Sequence, residues 1–282
     1  MKIFYSNMGS AKGLEEYYPR LIDVLISYYG LRVLDKPIYC RDLFLDSGAF
    51  SAHKSGVSID PGAYAEFVLK NKEDLFVYAS LDVIGDAEAT WNNQLLLERR
   101  GLCPLPTFHF GEPIKWLDFY IDRYDYLAIG GLVSQRVRKE LLLFLDGVFA
   151  RILQKRPTLR VHGFGIQDED VLRRYPWFSV DASSIHVMAR YGGIFTPWGS
   201  LKINPEVNFQ DTRWHTPLQI EGVREWVEGL QLPFSFEQAR QRTTEGTLMR
   251  RAISLQYFED QFGDPYQHKD FVGTGSVSGF GL

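Results

Sequence analysis

Acidic and imidazole side chains stand at the points where short apolar runs of this sequence end. Asp46 closes the run LFLD, Asp82 follows YASL, and Asp181 follows FSV. Two histidines hold the same position, His109 in FHF and His162 in VHG. Carboxylate pairs can carry out glycosyl transfer, because one attacks the anomeric carbon while the other moves protons on the departing group. That chemistry needs one carboxylate kept ionised and a second whose protonation alternates.

Other roles are open to the same residues. An aspartate after a strand often caps the next helix, and Asp82 with Asp86 could be a cap followed by a first-turn acid. Three aspartates and two histidines could also bind zinc or a similar ion, as in barrel hydrolases. Such a site predicts an H-x-H strand or a lysine at a strand end, and neither occurs in the sequence. We therefore expect no metal and no organic cofactor.

The elements that must position these side chains are predicted to be short strands alternating with longer helices. The predicted strands lie at residues 2–6, 42–47, 75–82, 105–110, 126–131, 159–165, 178–183 and 194–199. The predicted helices cover residues 61–72, 86–100 and 135–155. Eight strand units of this kind favour a (β/α)8 barrel of the TIM type, with function at the carboxyl ends of the strands. A doubly wound open sheet is the alternative, because periodicity does not reveal closure.

The pattern of elements divides the chain into a barrel and an extension. We predict an α/β fold with a (β/α)8 catalytic barrel over residues 1–200 and a helical C-terminal extension over 201–272, packed on the barrel. The extension contains an arginine-bearing helix at about 236–261. A Gly/Ser-rich tail over 273–282 is predicted to be flexible.

Composition narrows the classes of function. With 45% hydrophobic and 23% charged residues, the 282-residue chain has globular rather than disordered composition. Its formal net charge of −4 excludes a generally basic nucleic-acid coat, so a polyanion would need a local basic patch. No apolar run approaches the ~20 residues of a membrane span, and the start lacks signal-peptide features. Two cysteines without a C-x-x-C pair favour a reducing cytoplasm.

Short motifs at the ends of six predicted strands form an ordered series. The series is DSGAF from Asp46, LD at Asp82, FHFG around His109, AIGGL over 128–132, HGFG from His162 and VD at Asp181. In this order the motifs resemble those of the tRNA-guanine transglycosylases, which exchange guanine for a 7-deazaguanine in a (β/α)8 barrel. The resemblance covers roughly residues 42–185.

The chain departs from the tRNA enzymes in two respects. Those enzymes carry a C-terminal zinc-binding subdomain with closely spaced cysteines, whereas this chain has only Cys40 and Cys103. His109 stands where they have a base-reading glutamine. A compact chain without a zinc subdomain is similar to the DpdA-type DNA transglycosylases of bacteriophages and bacterial modification islands. That resemblance implies a cytoplasmic enzyme, in the host cytoplasm if phage-encoded.

The resemblance also implies a role for each motif. Asp181 would attack C1′ of the deoxyribose, and Asp46 would act as general acid and base on the leaving and incoming bases. Asp82 would accept hydrogen bonds from the N1–H and amino group of the base. The remaining substrate-site assignments are Ser47, Phe50 as a stacking ring, His109 as a donor to the base carbonyl, and the backbone at Gly130, Gly131 and Leu132.

DNA is the implied polymer, and a free 7-deazaguanine base such as preQ0 is the second substrate. The target base must leave the stack, because C1′ is out of reach inside a duplex. Local cations would contact the phosphates. The candidates are Arg136, Arg138, Lys139, Arg190 and Arg213, with Arg240, Arg242, Arg250 and Arg251 near the final helix. A homodimer or accessory modification proteins are further expected partners, and no membrane is expected.

Three alternatives stay open at the level of sequence. The first is a tRNA-guanine transglycosylase of reduced size, and the second is a non-catalytic nucleic-acid-binding barrel subunit. The third is a metal-dependent barrel hydrolase. The presence of both Asp46 and Asp181 argues against an inactive subunit, which would need neither carboxylate.

Overall fold

A computed structural model describes residues 1–6, 12–132, 137–205 and 217–263. Eight of its strands form one parallel sheet, in the order β4-β3-β2-β1-β8-β7-β6-β5. They are β1 (Lys2–Ser6), β2 (Ile22–Ser27), β3 (Cys40–Asp46), β4 (Val77–Tyr78), β5 (Thr107–His109), β6 (Tyr126–Gly130), β7 (Arg160–Gly163) and β8 (Ser179–Ala182). Each strand pairs with the next one in the chain, and β1 also pairs with β8. The exception is β4 and β5, which are the two edge strands.

The two edges of the sheet meet at one point. Ala79, directly after β4, forms a parallel bridge with Leu105. The amide of Ser80 donates to the Leu105 carbonyl at 2.9 Å, and the amide of Leu105 donates to the Tyr78 carbonyl at 2.8 Å. The prediction of an α/β fold is confirmed, as a curled sheet of eight parallel strands with helices. Within the described residues, the pairing between its edges is confined to this bridge.

The prediction of a sheet strand at residues 194–199 is wrong. That segment lies in a separate antiparallel hairpin, made of β9 (Gly193–Thr196) and β10 (Gly199–Lys202). The hydroxyl of Thr196 donates to the Gly199 carbonyl at 2.8 Å and closes the turn between the two strands. The chain therefore folds back on itself here instead of extending along the sheet.

The eighth strand of the sheet is β2, which the sequence pattern misses because Asp23 places a charge within it. Asp23 is fully buried. Lys2 on β1 and Arg41 on β3 flank it, with ion-pair distances of 3.1 and 2.8 Å to its two carboxylate oxygens. Cations from both neighbouring strands thus neutralise a carboxylate that would otherwise be too costly to bury.

Helices follow most of the strands. They are α1 (Ala49–Lys54), α2 (Pro61–Asn71), α3 (Ala87–Arg99), α4 (Ile114–Arg123), α5 (Arg138–Lys155), α6 (Glu169–Arg174), α7 (Ser184–Arg190), α8 (Pro217–Gly229), α9 (Phe236–Arg240) and α10 (Thr244–Phe262). Asp60, Asp86 and Asp168 cap α2, α3 and α6 through their side chains. The helix predicted at 236–261 is interrupted, because Thr243 caps a new helix there.

An aromatic cluster packs beneath the carboxyl edge of the sheet. The rings of Phe4 on β1 and Phe44 on β3 meet edge to face at 5.2 Å, and Phe44 also lies 4.8 Å from the His162 imidazole. Side chains alternate along a strand, so residues two positions further on share the same face. Ser6 and Asp46 therefore stand on this face, directly after the aromatic pair.

The C-terminal part of the described chain packs on the start of the sheet. The ammonium group of Met1 donates to the carbonyl of Phe262 at 3.1 Å, and the Tyr5 hydroxyl donates to Glu259 at 3.0 Å. Residues 206–216 and 264–282, the predicted tail included, lie outside the described residues. None of the described helices has the length and apolar character needed to cross a membrane.

Candidate active site

The register of the parallel strands brings four polar side chains to the carboxyl end of the sheet. They belong to Ser27, Asp46, His109 and Asp181. Asp46 pairs with Ser27 across β3 and β2, while Phe4 pairs with Asp181 across β1 and β8. His109 pairs with Gly130 across β5 and β6. Each of these polar residues lies at or next to the carboxyl end of its strand, where the loops of a parallel sheet converge.

Asp181 is held by two hydrogen-bond donors from neighbouring elements. The Ser6 hydroxyl donates to Oδ2 at 3.1 Å, and the amide of Gly165 donates to Oδ1 at 2.6 Å. Only 8% of Asp181 is exposed. Two hydrogen bonds from separate elements fix the direction of the carboxylate. Each oxygen keeps a second lone pair, so the carboxylate retains the capacity to act as a nucleophile.

His162 lies beside Asp181, but its ring is too far from the carboxylate for a hydrogen bond. Its Nδ1 lies 2.7 Å from the Ser179 hydroxyl, and its Nε2 lies 3.7 Å from Asp181 Oδ1. Complete burial lowers the pKa of the His162 imidazole, against the opposing influence of Asp181. We assign a structural role to the neutral His162 ring, which packs against Phe4 and Phe44 beside Asp181.

Asp46 has a different environment from Asp181. Its Oδ2 accepts a hydrogen bond from the Gly48 amide at 3.1 Å. Burial raises the pKa of Asp46 to about 7, and the nearby carboxylates of Asp181 and Asp82 add to the rise. A carboxyl that gains and loses its proton near neutral pH is suited to general acid and base work.

The turn after Asp46 depends on a glycine. Gly48 has a φ of 75°, and a Cβ at this position would lie 2.4 Å from Cβ and 2.9 Å from the backbone nitrogen of Tyr29. A larger residue would therefore displace the loop after β2 as well as strain the turn. This turn fixes where the Asp46 carboxyl points.

The neighbours of that turn differ in their access to a ligand. Ser47 is 1% exposed, and its hydroxyl accepts a hydrogen bond from the Ala49 amide at 3.4 Å. Its assignment as a substrate-contacting residue is not supported, because its side chain is buried at the start of α1. Phe50 is 43% exposed, and Lys54 Nζ lies 4.3 Å from its ring centroid. A base stacked on Phe50 would use the other face of the ring or displace Lys54.

Asp82 is bound by a histidine that is itself held by a second acid. His109 Nε2 lies 3.1 Å from Asp82 Oδ2, and Nδ1 lies 3.1 Å from Glu112 Oε1. The His109 amide also donates to Glu112 Oε2 at 3.1 Å. Burial alone would lower the pKa of His109, but the carboxylates of Asp82 and Glu112 outweigh burial and raise it to about 10. The ring is therefore an imidazolium at neutral pH.

This arrangement changes the assignment of His109. The sequence-based assignment makes it a donor to the carbonyl of a base, but both ring nitrogens already face carboxylates. His109 instead orients Asp82. The second oxygen of Asp82, Oδ1, is buried and has no hydrogen-bond partner among the described residues. It is the atom of this cluster with capacity for a ligand donor.

Glycine at position 130 makes room for the histidine. A Cβ at Gly130 would lie 2.7 Å from His109 Cδ2 and 2.9 Å from Thr107 Cγ2. The close packing explains why no side chain is tolerated beside His109. Gly131 is exposed after β6 with a φ of 74°, whereas the Leu132 side chain is 3% exposed and packs in the core. The Leu132 side chain therefore offers no contact to a base, and the Gly130 carbonyl already accepts a hydrogen bond from the Phe110 amide at 3.0 Å.

The basic residues assigned to phosphate contacts differ in exposure and in whether they form ion pairs. Arg136 and Arg213 lie outside the described residues. Arg138 is paired with the carboxylates of Asp168 and Asp170 on the next helix, so its charge is already compensated. Lys139 and Arg190 are exposed.

The structure buries two of the arginines on the final helix that were assigned to phosphate contacts, so neither belongs to an exposed basic face. Arg250 is 2% exposed and Arg251 is 7% exposed. Arg250 donates to the carbonyls of Ala189, Ala239 and Gln241, so it ties α7 and α9 to α10. Outside α10, Arg240 donates to the Ile203 carbonyl at 2.8 Å and pairs with Glu237.

Sequence reasoning missed three residues that shape the site, Ser6, Gly165 and Glu112. Ser6 ends a strand and Gly165 follows one, and only the folded sheet reveals that both reach Asp181. Glu112 follows His109 by three residues in the run FHFGE, a spacing that could have suggested the pair. Among the described residues, no three His, Cys, Asp or Glu side chains are grouped as a metal site. The chain matches no protein-family model and no curated protein.

Proposed function

We propose that this protein is a DNA-guanine transglycosylase. It exchanges guanine in DNA for a free 7-deazaguanine base such as preQ0, through a covalent bond between Asp181 and C1′ of the deoxyribose. The proposal rests on the contrast between two carboxylates at one edge of the sheet. Asp181 is held by two donors, while burial and neighbouring carboxylates raise the pKa of Asp46 to about 7. In the same proposal the curled sheet is a closed (β/α)8 barrel.

The first half of the reaction cleaves the bond to guanine. An oxygen of Asp181 attacks C1′ as the C1′–N9 bond breaks, and the bonding pair leaves with guanine. Asp46 donates its proton to the departing base, so guanine leaves as a neutral molecule. The products are free guanine, an ester between Asp181 and the deoxyribose, and the Asp46 carboxylate.

The second half reverses these roles. The Asp46 carboxylate takes the N9 proton of the incoming deazaguanine, and N9 attacks C1′. The ester bond to Asp181 breaks, and its electron pair returns to the carboxylate. Both aspartates finish in their starting protonation states, so the exchange needs neither an oxidant nor an energy source.

Recognition of the base is assigned to the Asp82 cluster. His109 occupies Oδ2 of Asp82, and Oδ1 is buried with no hydrogen-bond partner among the described residues. An unpaired buried acceptor is costly, so a base that donates there gains affinity over one that does not. Guanine and 7-deazaguanines carry such donors at N1 and at the exocyclic amine.

The choice of DNA over tRNA rests on the resemblance of the motifs to DpdA-type enzymes. A flipped nucleotide is required in either polymer. Exposed Lys139, Arg190 and Arg242 are described candidates for phosphate contacts, and exposed Phe50 is the candidate for stacking. The proposed location is the cytoplasm, with DNA, the free base and a second copy or accessory proteins as partners.

Incorporation of labelled guanine tests the proposed function. Purified protein is incubated with labelled guanine and either guanine-containing DNA or tRNA, and label in the polymer is counted. We expect label in DNA, loss of incorporation in Asp46→Asn, and full incorporation in the control Asp170→Asn, whose side chain is 83% exposed. Label in tRNA alone would identify the tRNA enzyme instead. No label in either polymer would refute base exchange.

A further inference from the structure

A cavity of about 560 Å³ lies between the end of α7, the β9–β10 hairpin and the start of α10. Four of its lining residues are cationic: Arg190, Lys202, Arg242 and Arg250. Among the described residues that line it there is no aspartate or glutamate, although Glu245 lies close in sequence to the lining residues of α10. Such a concentration of one sign of charge stands out in a chain whose net charge is −4. A cavity with this lining attracts anions.

The buried Arg250 lines the cavity and has no carboxylate partner in the part of the chain that the structure describes. Its Nε donates to the Ala189 carbonyl at 2.9 Å, Nη1 donates to two carbonyls, and Nη2 donates to the Thr247 hydroxyl at 3.0 Å. A guanidinium has five N–H groups, so one N–H of Nη2 has no protein acceptor in these contacts. Burial lowers the pKa of Arg250 to about 10, which still leaves it charged at neutral pH.

The pKa of a neighbouring histidine indicates a positive electrostatic potential near the cavity. Burial lowers the pKa of His186 on α7, and the positive charges of Arg251 and Arg190 lower it further. Arg190 and Lys202 are exposed at the rim and make no ion pair within the described residues. A mobile anion can therefore reach both cations without first displacing a carboxylate.

The cavity wall also carries an unsatisfied polar side chain. Asn204 is 8% exposed, and its Oδ1 is buried with no hydrogen-bond partner among the described residues. A half-turn of the amide would present an N–H at the same point. A buried amide without a partner is costly, and a bound polar group would satisfy it.

Tyr191 adds a feature that a free inorganic anion would not use. It lines the cavity directly after Arg190, and 66% of its surface is exposed. An exposed aromatic ring beside a cationic groove is the arrangement with which proteins bind single-stranded nucleic acid, because a base stacks on the ring while a cation meets the phosphate. The cavity therefore fits a nucleotide of a strand better than a phosphate ion.

We propose that this cavity binds a backbone phosphate of single-stranded nucleic acid, with the adjoining base stacked on Tyr191. The inference rests on the proposed function for the nature of the polymer. α7 begins two residues after β8, and its seven residues rise about 10 Å, so a short stretch of chain connects Asp181 to the cavity. The site would hold the strand at a distance from the base being exchanged.

Binding of a short oligothymidylate tests this assignment without base exchange, because that strand contains no guanine. Affinity is measured over a range of salt concentrations for the wild type, Arg190→Gln/Lys202→Gln and Tyr191→Ala. The matched control is Arg151→Gln/Lys155→Gln on α5, whose cations pair with Asp118. Inorganic phosphate serves as competitor.

We expect the rim double variant to lower the slope of log affinity against log salt by about 1.4, since each cation on a single strand contributes roughly 0.7. The α5 control should keep the wild-type slope. Tyr191→Ala should weaken oligothymidylate binding at least about fivefold and leave competition by phosphate unchanged.

Wild-type affinity and slope in the rim double variant would overturn the proposal, as would an equal loss in the α5 control. Phosphate binding without oligothymidylate binding would contradict a nucleic-acid ligand and identify a site for free phosphate. Failure of base exchange, with oligothymidylate binding that still depends on Arg190 and Lys202, would refute the proposed reaction but not the cavity assignment.

Discussion

His109 Nε2 lies 3.1 Å from Asp82 Oδ2, so the carboxylate proposed to read the base is anchored by an imidazolium. Glu112 holds the other ring nitrogen at 3.1 Å. The three side chains form a line in which Glu112 orients His109 and His109 orients Asp82. Oδ1 of Asp82 has no hydrogen-bond partner within the described residues, and selection of a guanine-like ring is proposed to occur at this acceptor.

Substitution of His109 should therefore impair base binding more than the chemical step. We expect His109→Ala to raise the KM for the free base at least about tenfold, because Asp82 loses the cation that holds it. His109→Gln, which can still donate to Asp82, should restore part of the affinity. Steady-state exchange kinetics separate KM from kcat. An unchanged KM in His109→Ala, with the exposed control His53→Gln also unchanged, would contradict the positioning role.

Asp46 should destabilise the folded protein at neutral and alkaline pH. Folding raises its pKa from 3.8 to about 7. Below about pH 4 the carboxyl is protonated in both states and does not lower the free energy of unfolding. The free energy of unfolding falls as pH rises from about 4 through 7, and the full loss is present above pH 7. Asp46→Asn carries no charge at any pH. We expect the variant to gain on the order of 2 to 4 kcal/mol relative to wild type at pH 8 and little at pH 4. Denaturant unfolding at both pH values measures the difference, and an equal difference at both would refute the raised pKa.

The formation of the covalent intermediate should slow as pH rises. In the free enzyme Asp46 must be protonated to assist guanine departure, and its pKa is about 7. Above that pH we expect the single-turnover rate with DNA to fall by about tenfold per pH unit. Rapid quenching between pH 6 and 9 measures this rate. A rate that rises through pH 7 would show that Asp46 does not act as the acid in this step.

Gly48 should be required for both stability and exchange. Alanine at this position needs a φ of 75° and brings its Cβ within 2.9 Å of the Tyr29 backbone nitrogen. Gly56→Ala is a matched control, since Gly56 has a φ of 66° with no atom within 4 Å of the added Cβ. We expect Gly48→Ala to cost about 2 kcal/mol or more beyond the control, and to lose activity. Thermal unfolding that is equal for the two variants would contradict the close approach.

The positions of the acidic residues could be predicted from the chain alone, because a parallel sheet places the ends of its strands together. Asp46, Asp82 and Asp181 each follow an apolar run in the sequence. In the folded structure each lies at or after the carboxyl end of a strand. The pKa of Asp46 responds to both other carboxylates, in agreement with one common region. Local pattern was sufficient for these residues because their placement depends on strand ends and not on particular partners.

Other features depend on partners distant in sequence and could not be predicted. In the sequence, the charge of Asp23 argues against a strand at this position. In the structure, Lys2 and Arg41 on the two neighbouring strands form ion pairs with it. His109 reads as a free donor until Asp82, 27 residues earlier, is seen beside it. Arg250 reads as a surface cation, yet three backbone carbonyls hold it inside the fold. In each case a tertiary contact decides the role.

The most direct test of the central claim is the site of covalent attachment. Wild-type protein incubated with guanine-containing single-stranded DNA, denatured and digested, should give a peptide that carries the deoxyribose adduct on Asp181. Asp181→Asn should give no adduct and keep its fold, while the exposed control Asp170→Asn should give the wild-type amount. An adduct that persists in Asp181→Asn, or that maps to another residue, would contradict the assignment of Asp181 as the nucleophile.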